Sequence, residues 1–159
     1  MVGRFVMPFM VNYAAAKHAV DALTEGYRYE LAPFGIDAVI VEPGTGYATV
    51  GATQKLMKSA EDDRVVAYGR LSERARGIFE QNTRLMESPE APKPQDVADS
   101  IARLIHTPPG ERPLRTPVGE DATQVLGPIN AATDQEQAQT IGYMGLGDLL
   151  SVADNPPRG

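Results

Sequence analysis

NYAAAKHAVDALTEGYRYELAPFGIDAVIVEPG, residues 12–44, is the stretch on which the reading of this chain turns. Apolar residues recur at Ala16, Ala19, Val20, Leu23, Tyr27 and Leu31, mostly three and four apart. That spacing predicts an amphipathic helix over 13–32. Asn12 can cap its start, and Pro33 with Gly35 ends it. Residues 38–41 form a short, β-branched, continuously apolar run. Such a run fits a strand buried on both faces, as in a parallel sheet. Helix, tight turn and buried strand make half of a βαβ unit, so the expected fold class is α/β.

Outward from this segment, the residues before Tyr13 read as an ordered loop punctuated by Pro8. After Gly44 the chain is Gly/Thr-rich and reads as a loop to about Ser59. A long polar helix is expected from Asp62 to about Glu87, its start favoured by the acidic cluster Glu61, Asp62 and Asp63. Residues 88–94 read as a linker. QDVADSIARLIH, 95–106, predicts a short helix with Val97, Ile101, Leu104 and Ile105 on one face. Residues 113–119 read as another strand, weakened by Pro117. A helix from Asp121 to about Gln139 should be kinked or split at Gly127-Pro128. The tail after Gly147 should fray.

The bulk numbers exclude several classes. The 159 residues are enough for one domain, and 42% are hydrophobic. A net charge of −6 gives no electrostatic footprint for nucleic acid or an anionic membrane. The absence of cysteine removes disulfides, thiolate metal sites and thiol nucleophiles together. No apolar run approaches the length of a membrane span. MVGRFVMPFMV at the start is interrupted by Arg4 and Pro8 and does not read as a signal peptide. With no address in view, the cytoplasm is the expected compartment. His18 and His106 lack a second ligand at metal spacing, so no metal is expected. Arg112 and Arg115 read as surface or packing residues rather than phosphate ligands. Gly142, Gly145 and Gly147 follow no strand and read as a turn rather than a nucleotide loop.

Chemistry enters with Tyr13 and Lys17. Residues four apart share a helix face, so a phenol and an ammonium would point into the same space. A positive charge held close to a phenol favours the phenolate. The pair could then give or take a proton at a carbonyl or carbinol oxygen. The same spacing also describes a Tyr packed beside a surface Lys, and the surroundings must decide between the two.

Those surroundings resemble the short-chain dehydrogenase/reductase family. The resemblance rests on the Tyr13/Lys17 helix, the Phe34-Gly35 turn, the strand that follows and Pro43-Gly44 at its carboxyl end. Gly3 and Pro8 match the approach to that helix. Residues 94–105 and 112–122 resemble the family's penultimate helix and last strand. The resemblance implies an incomplete Rossmann-like, doubly wound parallel sheet with a helical substrate lid after Gly44. It implies Tyr13 as general acid/base, with Lys17 favouring its phenolate and hydrogen-bonding the nicotinamide ribose. Pro43 and Gly44 would line the nicotinamide pocket. Thr49, or alternatively Thr45, would contact the cofactor carboxamide. The implied reaction is hydride transfer between NAD or NADP and a small alcohol/carbonyl substrate. The family often pairs this helix across a dimer interface, which implies a homo-oligomer through 13–32.

Three departures accompany the resemblance. Ala16 stands where the family usually has Ser or Thr. The run after Gly44 is one residue longer than usual. The Gly-rich pyrophosphate turn, the ribose discriminator, the relay Asn and the catalytic Ser would all precede Met1. Residues 1–150 are therefore expected to be the C-terminal portion of a single Rossmann-like domain, with 151–159 a flexible tail. A chain without the first half should bind no dinucleotide tightly and should be marginally stable or self-associating through an open sheet edge. The alternative function is a non-catalytic remnant of the family serving assembly.

Overall fold

A computed structural model describes residues 1–47 and 62–152. Helix α1 spans Val11–Leu31, beginning two residues earlier than the apolar spacing indicates. Met10, not Asn12, is its cap residue, and it makes no side-chain capping bond. The reason lies just upstream. Phe9 takes a φ of 68°, turning the chain so that Val11 and Asn12 are already helical. The Ala14 amide then bonds the Met10 carbonyl at 2.7 Å. At the other end Pro33 does not break the chain sharply. It enters a 3-10 turn, Ala32–Phe34, at a position where its missing N–H costs nothing. Gly35 closes the turn with a φ of 73°, which glycine adopts without strain. The Ile36 amide reaches back to the Leu31 carbonyl at 3.3 Å.

Among the described residues the sheet has two parallel strands, β1 at Ile40–Pro43 and β2 at Arg115–Val118. Their register pairs Ile40 with Arg115 and Pro43 with Val118. Strand β1 thus lies two residues further along than the apolar run 38–41. The Ile40 amide bonding Leu114 and the Gly44 amide bonding Val118 set its limits, and hydrophobicity does not. Nor is it buried on both faces: Ile40 and Glu42 are buried, while Val41 and Pro43 are only half-buried. Pro117 is accommodated within the four residues of β2.

The long polar helix expected after residue 61 is two helices, α2 at Asp62–Ala67 and α3 at Arg70–Met86. Gly69, with a φ of 50°, separates them. Helix α4, Pro94–His106, starts with Pro94 in its first turn, where proline is favoured, and the Asp96 carboxylate accepts the Lys93 amide at 3.3 Å. Its buried residues are Ser100 and Leu104, whereas Ile101 and Ile105 are exposed. The buried stripe is therefore narrower than the apolar pattern suggests. Helix α4 packs against both strands.

Helix α5, Glu120–Tyr143, runs on through Pro128 and is not split there. One proline deletes a single backbone bond, and the bonds on either side carry the helix past it. Ala122 and Leu126 are wholly buried against the rest of the chain. Burying Leu126 contributes about 2 kcal/mol. Beyond α5 the chain does not fray at once. A second 3-10 turn, Gly147–Leu150, packs against α1, the first 3-10 turn and α5. The expected flexible tail lies, from residue 153 onward, outside the described residues.

A candidate active site on the Tyr13–Lys17 face

Tyr13 and Lys17 do share a face. The Lys17 ammonium lies 5.6 Å from the centroid of the Tyr13 ring. Tyr13 is half-buried and Lys17 exposed, so the phenol sits at a boundary between packed chain and solvent. It borders a cleft of about 790 Å³ between the approach loop and helices α2 and α3. Phe9, Tyr68, Leu71, Arg76 and Phe79 also line that cleft.

The stripe continues along α1 as Asp21 and Glu25, each four residues on. Spacing alone could have exposed this, yet only its first two members attract attention in the sequence. Glu25 anchors the helix. It accepts hydrogen bonds from Arg115 of β2, from Arg4 at 3.4 Å and from Gln137 of α5 at 2.8 Å. The Arg115 guanidinium is fully buried and also pairs with Asp134. Arg115 is thus the packing residue of the two readings, the hub of a buried ionic cluster and not a surface side chain. Arg112 acts similarly: with Arg28 it pairs with the buried Asp37 just before β1, and its Nε bonds the Leu104 and Thr107 carbonyls. These two clusters fix α1 against the sheet. The two histidines do local work. His18 bonds the Ala14 carbonyl at 2.8 Å, and His106 bonds the Ala102 carbonyl at 2.7 Å.

Pro43 and Gly44 stand at the carboxyl end of β1, as the sequence leads one to expect. Residues 1–4 bridge them to α1. The Met1 nitrogen is 3.3 Å from the Pro43 carbonyl oxygen, and Lys17, Asp21, Glu42 and Asp121 all act electrostatically on it. Three elements therefore converge there. No hydrogen bond or ion pair among the described residues joins Tyr13 or Lys17 directly to Pro43 or Gly44. The Thr45 amide donates to Asp121 Oδ2 at 2.8 Å. Burial pushes the Asp121 carboxyl up. The hydrogen bonds from the Thr45 main chain and side chain, and from the amides of Ala122 and Asp121 itself, outweigh it and hold the group below the usual carboxylate range. A Cβ on Gly44 would meet Asp121 Oδ1 at 2.0 Å, so glycine is what lets this turn close. Thr49 lies outside the described residues. Asp121, unnoticed in the sequence except as a helix start, proves to be the residue that ties the Gly44-Thr45 turn to α5.

Glu42 is the other residue missed. An acidic side chain in an apolar strand gives no sign of its partner 88 positions away. It is buried, and Asn130 Nδ2 donates to its Oε2 at 2.6 Å. Its second oxygen, and the Asn130 carbonyl oxygen, have no hydrogen-bond partner among the described residues. Burial pushes its carboxyl above the ordinary 4.5, with the Asn130 bond opposing. A carboxyl with a raised folded pKa contributes stability that is complete below its unfolded value and is lost as pH rises through the folded one. Glu42→Gln removes that loss and can pair both unpartnered oxygens amide to amide. The variant is expected to be about 1 kcal/mol more stable than the parent at neutral pH, with the two urea curves converging as pH falls below 4.5. A less stable variant at neutral pH would show instead that the ionised carboxylate is needed.

Comparison with known proteins follows the same residues. Residues 1–62 match the family described as short chain dehydrogenase. The uncharacterized oxidoreductase YusZ of Bacillus subtilis is 31% identical over 115 residues, covering 71% of this chain and 38% of that protein. Human dehydrogenase/reductase SDR family member 11 is 36% identical over 112 residues, covering 68% of this chain and 35% of that protein. A probable short-chain type dehydrogenase/reductase of Helicobacter pylori, VdlC, is 41% identical over 44 residues, 28% of this chain and 16% of that protein. The first two of these likenesses each cover more than two thirds of the chain. It belongs to the short-chain dehydrogenase/reductase family, whose members generally use NAD or NADP. The chain spans 38% and 35% of the lengths of the Bacillus and human relatives. Among the described residues no helix is long and apolar enough to cross a membrane.

Proposed function

We propose that this chain contributes the proton-transfer face and the nicotinamide-side turn of an NAD(P)-dependent enzyme that interconverts an alcohol and a carbonyl compound. On this reading residues 1–150 are the C-terminal portion of one Rossmann-like domain, and α2 and α3 form its substrate lid. The observation that carries it is the Lys17 ammonium 5.6 Å from the Tyr13 ring at the edge of a 790 Å³ cleft. Tyr13 is the acid/base: in reduction its hydroxyl gives a proton to the carbonyl oxygen, and in oxidation it takes that proton back. Lys17 places a positive charge beside the ring and is a donor for ribose hydroxyls.

The donor chemistry of the present residues fits the nicotinamide end of the cofactor, a phenol and an ammonium facing hydroxyl groups. When bound, the cofactor supplies or accepts the hydride at the substrate carbon. Pro43 and Gly44 would border its ring from the end of β1. The Thr45 amide is committed to Asp121, which favours Thr49 for the carboxamide. NAD and NADP are both open to this site. The test is turnover of a ketone panel with NADH and NADPH by the intact protein and its Tyr13→Phe variant.

A second role rests on a separate observation. Val20, Leu23 and Tyr27, on one side of α1, are 53%, 60% and 52% exposed. Among the described residues the two strands have no third partner. An apolar stripe and an unpaired sheet edge favour self-association through α1. Leu23→Glu should shift the protein toward monomer in sedimentation velocity. An unchanged distribution removes this role and leaves the catalytic one standing.

A further inference from the structure

We propose that the cleft beside Tyr13 takes an aromatic carbonyl compound carrying a carboxylate, with Arg76 as the anion's partner. The inference deepens the oxidoreductase reading above and rests on it for the identity of the reacting carbonyl. The volume, about 790 Å³, is that of a pocket for a small organic molecule. Its walls are chemically uneven. Phe9 comes from the approach loop, Tyr68 from the junction of α2 and α3, and Leu71 and Phe79 from α3. Three of those four side chains are aromatic, which suits the offset and edge-to-face packing of a ring substrate.

Phe9 adds a second observation. Its φ of 68° lies in the left-handed region, which costs a bulky residue free energy. It is the one non-glycine residue in that region among those described. The strained position falls four residues before Tyr13 and puts an aromatic side chain on the cleft wall.

Arg76 is the one charged side chain among the described residues that line the cleft. Glu73 and Glu80 stand three before and four after it on α3, in reach for helical ion pairs, yet neither pairs with it. A guanidinium without a partner among the described residues, beside an aromatic cleft, is disposed to take a planar anion with two parallel hydrogen bonds. The chain as a whole is acidic, with a net charge of −6, so its general field repels an anion. Selection for a carboxylate would therefore have to come from this local fork.

The experiment measures binding first, without turnover. Benzoylpropionate and its neutral amide are titrated calorimetrically into the intact protein. The acid is expected to bind roughly tenfold more tightly or better, the worth of one charge-assisted hydrogen bond. Arg76→Gln should bring the acid's affinity down to that of the amide, and Arg76→Lys should restore part of the difference. Equal affinities in the parent protein, a preference that survives Arg76→Gln, or no binding of either compound overturns the proposal. Turnover of neutral acetophenone with NADH or NADPH, parent against Tyr13→Phe, reads the oxidoreductase assignment separately. Loss of that assignment leaves the acid-over-amide preference to decide the role of Arg76 alone.

Discussion

Tyr13→Phe is expected to lower kcat for ketone reduction by about 10²–10⁴-fold, the usual worth of a positioned general acid. The substitution keeps the ring and deletes only the hydroxyl. Tyr13 is half-buried with its ring beside the cleft, so packing should survive and KM should change little. A fall in kcat with KM held is the signature of a group that acts in the transition state. Lys17→Met should also lower turnover, because it removes the charge 5.6 Å from the ring. It should, in addition, raise the cofactor's KM if the ammonium bonds the ribose. Full turnover by Tyr13→Phe in the intact protein would end the assignment of the proton donor, whatever the family.

Arg115→Ala is expected to cost about 3–5 kcal/mol, the range for removing one partner of a buried ion pair, and to lower Tm by roughly 10 °C. The guanidinium is 1% exposed and joins Glu25 of α1 to Asp134 of α5, from its own place on β2. Its loss leaves Glu25, 15% exposed, with only Arg4 at 3.4 Å and Gln137 among the described residues to answer its charge. Three elements would lose their common tie in one substitution. Because Glu25 lies on the same stripe as Tyr13 and Lys17, the site should loosen with the fold. Arg115→Met, which fills the volume without a charge, should cost less when paired with Glu25→Gln than alone, since Glu25 then no longer carries a mostly buried charge that has lost Arg115. A loss under about 1 kcal/mol for Arg115→Ala would mean that the cluster is solvated and carries little.

The short elements near the decisive stretch were legible because their signals are local. The helix face of Tyr13 and Lys17, the Pro33 and Gly35 stop, and the strand that ends at Pro43-Gly44 all follow from spacing within about thirty residues. Errors arose where a nonlocal partner or one backbone angle intervened. The start of α1 moved because Phe9 turned the chain. Strand β1 shifted because β2 offers amides and carbonyls only over its own four residues. Gly69 divided a helix whose polar pattern runs straight through it. Pro128 failed to divide one that propensity marks as broken. Thr49, expected to contact the cofactor carboxamide, lies outside the described residues.

The order of residues was by itself enough to place a phenol and an ammonium one helical turn apart, since four residues of helix bring any two side chains to one face. It was also enough to indicate a parallel α/β unit and the family. Only the folded chain decided what surrounds that pair: the Asp121 tie to Thr45, the buried Glu42 and Asn130, the Arg115 hub and the aromatic cleft with Arg76. Those depend on contacts between residues as far apart as 129 positions, such as Arg4 with Thr133. No periodicity encodes a partner at that distance, because which groups meet is set by how whole elements pack and not by the spacing within any one of them.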